Sequence, residues 1–206
     1  MKQFFFVRHG QTKWNAARRV QGQRNSDLNK LGRAQAEING QLLSRLDINA
    51  LFASPLDRTR QTAEIINRHL KLPINFDERI KEWDCGDWSG YLYDEVRKRW
   101  SKEWEAYQAD RYYYRGPNCE NIPDMMGRAR PFLDEIIEHP ANNIAIISHG
   151  MIGKIMVSML LGLNEKDTLN LDQPNDVVFK LILSDEIKAS HFVRGNGPIE
   201  GYQVDS

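Results

Sequence analysis

The sequence predicts an α/β protein with a mainly parallel sheet and helices on both of its faces. Short apolar runs alternate along the chain with segments in which apolar residues recur every three or four positions, as expected of strands joined by helices. Three apolar runs lead directly into segments rich in Arg, His and Ser, and ligands bind beyond the carboxyl ends of strands in such sheets. The 206 residues, 41% of them hydrophobic, suit a single domain spanning 1–206.

The first strand is predicted at Phe4–Val7, an apolar run without helical spacing. A helix follows, with Asn29 or Ser26 as its expected N-cap. Its buried face is predicted from apolar residues spaced by three and four: Leu31, Ala34, Ile38, Leu42 and Leu46.

The second strand is predicted at Ala50–Ala53. The next helix is expected to begin with Ser54 as N-cap and Pro55 in its first position, and to bury a stripe that ends at Leu70. A third short strand is predicted at Ile74–Phe76.

Residues 91–120 are predicted to form a cap inserted beside the main fold. A single amphipathic helix is indicated by the spacing of Tyr93, Val96, Trp100, Trp104 and Tyr107. The same pattern also fits an ordinary solvated helix face with aromatic anchors, and the residues leave both interpretations open.

The last third of the chain predicts two more helices and three more strands. One helix runs from Met125 to Ile136, with a kink at Pro131, and another ends near Leu163. The expected strands are Ile144–Ile147 and an antiparallel hairpin formed by Val177–Leu183 and Ile187–Val193. The Gly-rich tail from Gly195 is expected to be loose.

Composition excludes several functional classes. Lys and Arg number 28, as do Asp and Glu, so the formal net charge is zero and a general nucleic-acid binder is not expected. The apolar stretch Met151–Leu163 contains Lys154 and is too short to span a bilayer, and the N-terminus does not resemble a signal peptide. We therefore expect a soluble, cytoplasmic protein without a membrane partner. Cys85 and Cys119 are expected to be reduced thiols.

The residues at the predicted strand ends suggest chemistry on a phosphate ester. Such an ester carries about two negative charges near neutral pH, and the forked guanidinium groups of Arg8 and Arg58 suit it. An unprotonated imidazole nitrogen of His9 could act as the nucleophile, while His149 as a cation could stabilise the transferring phosphoryl oxygens. Glu82 could protonate the leaving alkoxide and then accept a proton from water. Each signal is weak alone, so the prediction depends on the combination.

Five motifs resemble those of the histidine phosphatase superfamily, also called phosphoglycerate mutase-like. Residues 8–15 read RHGQTKWN, close to the opening motif of that family, and residues 27–32 read DLNKLG. Residues 54–63 read SPLDRTRQTA, and residues 148–150 read SHG. The remaining motif combines Glu82 with GDWSG at residues 86–90.

This resemblance implies a three-layer α/β/α sandwich and a phosphomonoester hydrolase that works through a phosphohistidine. It implies His9 as phosphoryl acceptor and Glu82 as proton donor, without a metal or an organic cofactor. The phosphate pocket would be completed by Arg8, Arg58 and His149, and further contacts to a small phosphorylated substrate are expected from Asn15, Gln21 and Gly22.

Two departures from the family pattern bear on the activity. Cys119–Asn121 stands where Gly-Glu-Ser is common, which places the contacts of that loop in question. The sequence EWDCG at 82–86 differs from the Glu-Arg-His-Tyr-Gly of cofactor-dependent mutases and favours the phosphatase branch. Phosphoglycerate mutase-type transfer and a non-catalytic phospholigand-binding module remain as alternatives. The substrate and the oligomeric state, including a homodimer, are left open.

Overall fold

The computed structural model describes residues 1–202. Seven strands form one sheet, with the bounds Lys2–Arg8 (β1), Ala50–Ala53 (β2), Ile74–Phe76 (β3), Asn143–Ser148 (β4), Val177–Leu183 (β5), Lys188–Val193 (β6) and Asn196–Glu200 (β7). Their order is β3-β2-β4-β1-β5-β6-β7. The first four strands of this order pair in parallel, whereas the pairs β1–β5, β5–β6 and β6–β7 are antiparallel. The predicted α/β sandwich with a mainly parallel core is confirmed.

Helices cover both faces of the sheet. Their bounds are Lys13–Ala16 (α1), Lys30–Leu43 (α2), Asp57–Leu70 (α3), Tyr93–Arg99 (α4), Ser101–Ala109 (α5), Ile122–Glu138 (α6), Gly150–Leu161 (α7) and Glu165–Asn170 (α8). In the central strand β1, Phe4 and Phe6 pack with α6 and α7, whereas Phe5 and Val7 pack with α2 and α3. Because β1 is buried on both faces, its sequence is continuously apolar instead of alternating.

The buried face of α2 differs from the predicted stripe. Leu31 and Ile38 are 53% and 37% exposed, while Gly32 and Gly40 are buried. A Cβ on Gly40 would lie 2.6 Å from a ring carbon of His69, so α2 approaches α3 more closely than larger side chains would allow. The hydrophobic pattern therefore predicts the wrong buried face for α2, because the contact between α2 and α3 depends on small residues.

The start of α3 was also predicted incorrectly. The N-cap position is occupied by Leu56, which makes no side-chain capping bond, and the helix begins at Asp57. The hydroxyl of Ser54 instead lies 2.7 Å from Nε2 of His149. The Ser-Pro pair therefore marks the end of β2 and a contact to the site, two residues before the helix cap.

Two further predictions require correction. The single helix expected between Tyr93 and Tyr107 is two helices, α4 and α5, which break at Trp100 and both contribute to one aromatic cluster. The tail from Gly195 is not loose over its first part, because β7 pairs with β6. Helix α6 continues through Pro131, whose side chain is exposed. Its kink stays a prediction.

Candidate active site

The site is built on three neighbouring strand ends. Arg8 at the end of β1 lies in register with Ser148 at the end of β4, and the backbone N–H of Ser54 after β2 donates to the carbonyl of Ile147 (3.0 Å). Parallel pairing of β1, β4 and β2 therefore brings together residues that are more than 90 positions apart. Three of the five sequence motifs, at residues 8–15, 54–63 and 148–150, therefore converge at one edge of the sheet.

The ring of His9 is held with its Nε2 unprotonated. Its Nδ1 lies 2.8 Å from the carbonyl oxygen of Gly10, which can only accept, so Nδ1 carries the proton. In the neutral ring Nε2 is then unprotonated, and it accepts from Nε of Arg58 (3.2 Å). Burial, together with the charges of Arg58 and Arg8, holds the pKa of His9 well below its usual value. His9 is therefore a neutral imidazole with a nucleophilic nitrogen.

Gly10 contributes through a close backbone approach. A Cβ at this position would lie 2.1 Å from the carbonyl oxygen of Gly32, so the two backbones are nearly in contact. The turn beside His9 thus requires glycine because the start of α2 packs against it.

His149 is a second buried imidazole, fixed in the complementary tautomer. Its Nδ1 accepts from Nε of Arg58 (3.1 Å), so its proton is on Nε2, which donates to Ser54 Oγ (2.7 Å). Burial and the neighbouring Arg58 hold its pKa well below the usual value. His149 is therefore neutral in the free protein, and the cation expected from sequence would require an arriving anion to favour the protonated ring.

Arg58 is the centre of this network. One Nη donates to the carbonyl of Gly22 (2.7 Å) and the other to the carbonyl of Arg24 (2.8 Å). Burial lowers its pKa to about 10, so the guanidinium stays charged at neutral pH. Hydrogen bonds through Arg58 therefore link His9 and His149 to each other and to the loop at residues 22–24.

Arg8 lines the same cavity as His9 and Arg58. It donates to the carbonyl of Gln173 (2.9 Å), and its buried Nε has no hydrogen-bond partner within residues 1–202. A Cβ on Gly150 would lie 3.0 Å from Cζ of Arg8, so glycine at the start of α7 makes room for the guanidinium. A buried donor without a partner indicates a place where a ligand oxygen can bind.

Glu82 is partly buried at the N-terminus of α7. Its carboxylate accepts from the backbone N–H groups of Trp83 (2.9 Å), Ile152 (3.1 Å) and Met151 (3.2 Å). These bonds fix its position on the wall of the cavity that also contains His9. Free N–H groups at a helix start are a natural partner for an acidic side chain.

The loop around Glu82 is supported by an ion pair that sequence reasoning did not identify. Arg128 bonds to Glu120 (2.8 Å) and donates to the carbonyls of Arg79, Lys81 and Glu82. Glu120 also accepts from the backbone N–H of Asp84 (2.9 Å). The loop that departs from Gly-Glu-Ser thus retains a glutamate that positions Glu82.

Asn15, Gln21 and Gly22 line the same cavity as His9. The carboxamide oxygen of Asn15 accepts from the backbone N–H of Thr12 (3.0 Å), and that of Gln21 accepts from the Thr12 hydroxyl (2.9 Å). Since both oxygens are engaged, the amide NH₂ groups are the parts of these side chains that can donate to a ligand.

The cavity has a volume of about 490 Å³, within the range of small-molecule sites. His149 is fully buried behind the cavity wall, where it contacts two lining residues: it accepts from Arg58, and its ring packs edge-on against that of His9 with centroids 5.3 Å apart. Several lining residues were not predicted as site residues: Arg18, Arg19, Trp83, Tyr93, Trp104, Tyr107, Arg111, Met151, Lys154 and Asp172. Two signals could have indicated part of this set: the aromatic and basic residues of the predicted cap at 91–120, and the lysine inside the apolar sequence of α7.

The remaining histidines lie elsewhere. His69 bonds to Glu37 (2.7 Å), His139 accepts from the backbone N–H of Ala141 (3.1 Å), and His191 bonds to the carbonyl of Gly201 (3.0 Å). Within residues 1–202, no three His, Cys, Asp or Glu side chains are grouped to hold a metal ion. In the same part of the chain, none of the helices is long and apolar enough to cross a membrane.

The sequence model of one protein family, the histidine phosphatase superfamily (branch 1), matches residues 4–191 of this chain. The chain belongs to this family. It is 38% identical over 165 residues to "Probable phosphoglycerate mutase GpmB" of Erwinia tasmaniensis, covering 79% of this chain and 76% of the relative. It is 30% identical over 165 residues to "Phosphoserine phosphatase 1" of Hydrogenobacter thermophilus, covering 80% and 78%.

Solved structures of family members share the fold of this histidine phosphatase. The mycobacterial glucosyl-3-phosphoglycerate phosphatase has a TM-score of 0.82 and 25% identity, over 94% of this chain and 98% of that one. The alpha-ribazole phosphatase of Shigella flexneri has a TM-score of 0.83 and 20% identity, over 90% and 93%. The second likeness shows the fold alone.

Proposed function

We propose that this histidine phosphatase hydrolyses phosphomonoesters of small metabolites through a phosphohistidine on His9. The observation that carries the proposal is the tautomer of His9, which leaves Nε2 unprotonated beside the buried guanidinium of Arg58 in a cavity of ligand size. Arg8, with its unpartnered Nε, supplies a second cationic donor.

The reaction takes place in two displacements. In the first, Nε2 of His9 forms a bond to phosphorus as the ester P–O bond breaks, and Glu82 gives its proton to the departing alkoxide. Arg8 and Arg58 neutralise the phosphoryl oxygens, and the arriving negative charge favours protonation of His149 behind them. In the second, the oxygen of a water molecule attacks phosphorus while Glu82 accepts a proton from that water. The P–N bond to His9 breaks, which releases inorganic phosphate and restores His9.

The rest of the cavity holds the ester in place. Asn15 and Gln21 donate from their amide groups, and Gly22 lines the cavity while its carbonyl fixes Arg58. Residues 91–120 form the cap over this end, contributing Tyr93, Trp104 and Tyr107 to the wall. The mutase and phosphatase relatives are named for small phosphorylated metabolites, a substrate class that fits this cavity.

Phosphate release by the wild type, His9→Ala and the control His69→Ala tests the proposal, with a chelator present and a panel of phosphoglycerates, phosphoamino acids, sugar phosphates and nucleotides. Loss of the nucleophile should reduce the rate by several orders of magnitude, whereas His69→Ala should match the wild type. An acid-labile phosphoryl group should be trapped on the wild type and be absent from His9→Ala. Turnover by His9→Ala, or no release by the wild type from any compound, would contradict the proposal.

Phosphoglycerate mutase activity is the second candidate. The similarity to a relative named as a mutase favours it, as do Arg18, Arg19 and Arg111, which add cations to the cavity wall. Interconversion of 2- and 3-phosphoglycerate that depends on added bisphosphoglycerate would support this activity. Phosphate release without interconversion would exclude it.

A further inference from the structure

The carbonyl of Gly10 fixes the tautomer of His9, but a glycine does not hold its own carbonyl in place. Because Gly10 has no Cβ, its backbone is freer than that of any other residue type, so the peptide units on its two sides must set the direction of the carbonyl. If this carbonyl turned away from Nδ1 of His9, the ring proton could move to Nε2, which could then no longer attack phosphorus. Nε of Arg58 has one hydrogen, which it shares between His9 and His149, so it does not fix the tautomer alone.

The peptide unit that precedes Gly10 is held by two side chains. Its N–H donates to the hydroxyl oxygen of Thr62 (3.1 Å), and its carbonyl, which belongs to His9, accepts from Nδ2 of Asn175 (2.6 Å). Thr62 lies in α3, is fully buried, and donates its own hydroxyl proton to the carbonyl of Arg58 (2.7 Å). Asn175 lies in the segment between α8 and β5. Two distant parts of the chain therefore fix this peptide unit.

The peptide unit that follows Gly10 is held by a third side chain. The carbonyl of Gly10 and the N–H of Gln11 belong to this one planar unit and point in opposite directions. The N–H donates to Oε1 of Gln35 in α2 (2.9 Å), so the carbonyl is directed toward the ring of His9. With both neighbouring units fixed, neither backbone dihedral of Gly10 is free to turn.

We infer that three side chains, Thr62, Gln35 and Asn175, are positioning residues for the nucleophile. They hold the backbone around Gly10 so that its carbonyl keeps the proton of His9 on Nδ1. All three lie outside the lining of the cavity, so each acts through the backbone and not on the ester. This inference rests on the proposed phosphatase function, because the tautomer affects the reaction only when Nε2 is the attacking atom.

Substitutions at Thr62 separate positioning from stability. Thr62→Val keeps the shape of the side chain and removes the hydroxyl, whereas Thr62→Ser keeps the hydroxyl and removes a methyl group. ¹⁵N NMR of the histidine rings near neutral pH, with His9→Ala to assign the signals of His9, should show a protonated Nδ1 in the wild type and in Thr62→Ser. Thr62→Val should show both tautomers. The control Thr59→Val, at another buried threonine of α3 whose hydroxyl donates to the carbonyl of Leu56 (2.6 Å), should keep the wild-type tautomer.

The other two positions extend the test. Asn175→Asp keeps the size of the side chain but is ionised near neutral pH and cannot donate, and Gln35→Met keeps the length but loses the oxygen acceptor. Each should also populate both tautomers, whereas Gln41→Met, at an exposed position on α2, should not. Rapid-quench measurement of phosphohistidine formation should give rates that fall in proportion to the remaining Nδ1-protonated fraction, about twofold to tenfold.

The NMR measurement does not depend on turnover, which separates this inference from the proposed function. If the wild type forms no phosphohistidine but Thr62→Val still shows both tautomers, the positioning role stands and the phosphatase function fails. A single wild-type tautomer in Thr62→Val, or mixed tautomers in Thr59→Val as well, overturns the positioning role. A slower reaction without a change of tautomer also overturns it, because the hydroxyl would then be merely structural. Asn175→Asp carries the same test if Thr62→Val does not fold.

Discussion

The hydroxyl of Ser54 should be necessary for both the stability of the site and its activity. Ser54 is fully buried, and its oxygen is the acceptor for Nε2–H of His149 at 2.7 Å. This bond leaves Nδ1 of His149 unprotonated, which allows it to accept from Arg58. In Ser54→Ala the imidazole would either bury an unsatisfied N–H or change tautomer and direct a proton at the guanidinium.

The magnitude follows from the cost of a buried donor left without a partner. That cost is about 1–3 kcal/mol, so the free energy of unfolding of Ser54→Ala should fall by this amount. In a chain of this size each kcal/mol corresponds to roughly 2–4 °C in Tm. Since Arg58 and His149 would no longer be fixed relative to His9, kcat/KM should also fall about tenfold or more.

Urea unfolding and steady-state kinetics on one preparation measure both effects. Ser101→Ala, at an exposed position at the start of α5, is the matched control and should resemble the wild type. If Ser54→Ala unfolds at the same urea concentration and turns over substrate as fast as the wild type, the assigned tautomers and the role of this hydroxyl are wrong.

Three more outcomes are expected. Glu82→Gln should slow hydrolysis of alkyl phosphates about 10²- to 10³-fold. It should slow hydrolysis of p-nitrophenyl phosphate less than about tenfold, because nitrophenolate leaves without a proton. Equal losses on both esters would argue against an acid role for Glu82. Gly150→Ala should raise KM and lower kcat/KM several-fold, because the added Cβ would lie 3.0 Å from Cζ of Arg8, and unchanged kinetics would show that the guanidinium can move freely. Because folding lowers the pKa values of His9 and His149, the unfolded chain binds protons at these residues more readily than the folded protein does. Their contribution to the free energy of unfolding should therefore be fully present above about pH 6.5 and be lost as the pH falls toward the folded-state pKa values. Urea midpoints measured from pH 8 to pH 5 should therefore decline less steeply in a variant with both histidines replaced by Gln.

Much of the fold could be predicted because local patterns reflect burial directly. The run Phe4–Val7 is apolar throughout because β1 lies between two helical layers, and Asn29 caps α2 as its side chain suggests. The same patterns failed where packing depends on small residues or on a distant partner. Gly32 and Gly40 form the buried face of α2, and the hydroxyl of Ser54 bonds to a histidine 95 positions away instead of capping α3.

The sequence by itself determined which residue types could carry out the chemistry, because Arg8, His9, Arg58 and His149 occur in motifs at predicted strand ends and Glu82 occurs in a motif of its own. Only the tertiary structure decided their protonation and their surroundings. A tautomer depends on which atom faces each ring nitrogen, and those atoms come from distant segments of the chain. The position of Lys154 was also decided by the tertiary structure. The sequence shows a lysine within an apolar helix, but only the structure shows that this lysine lines the cavity.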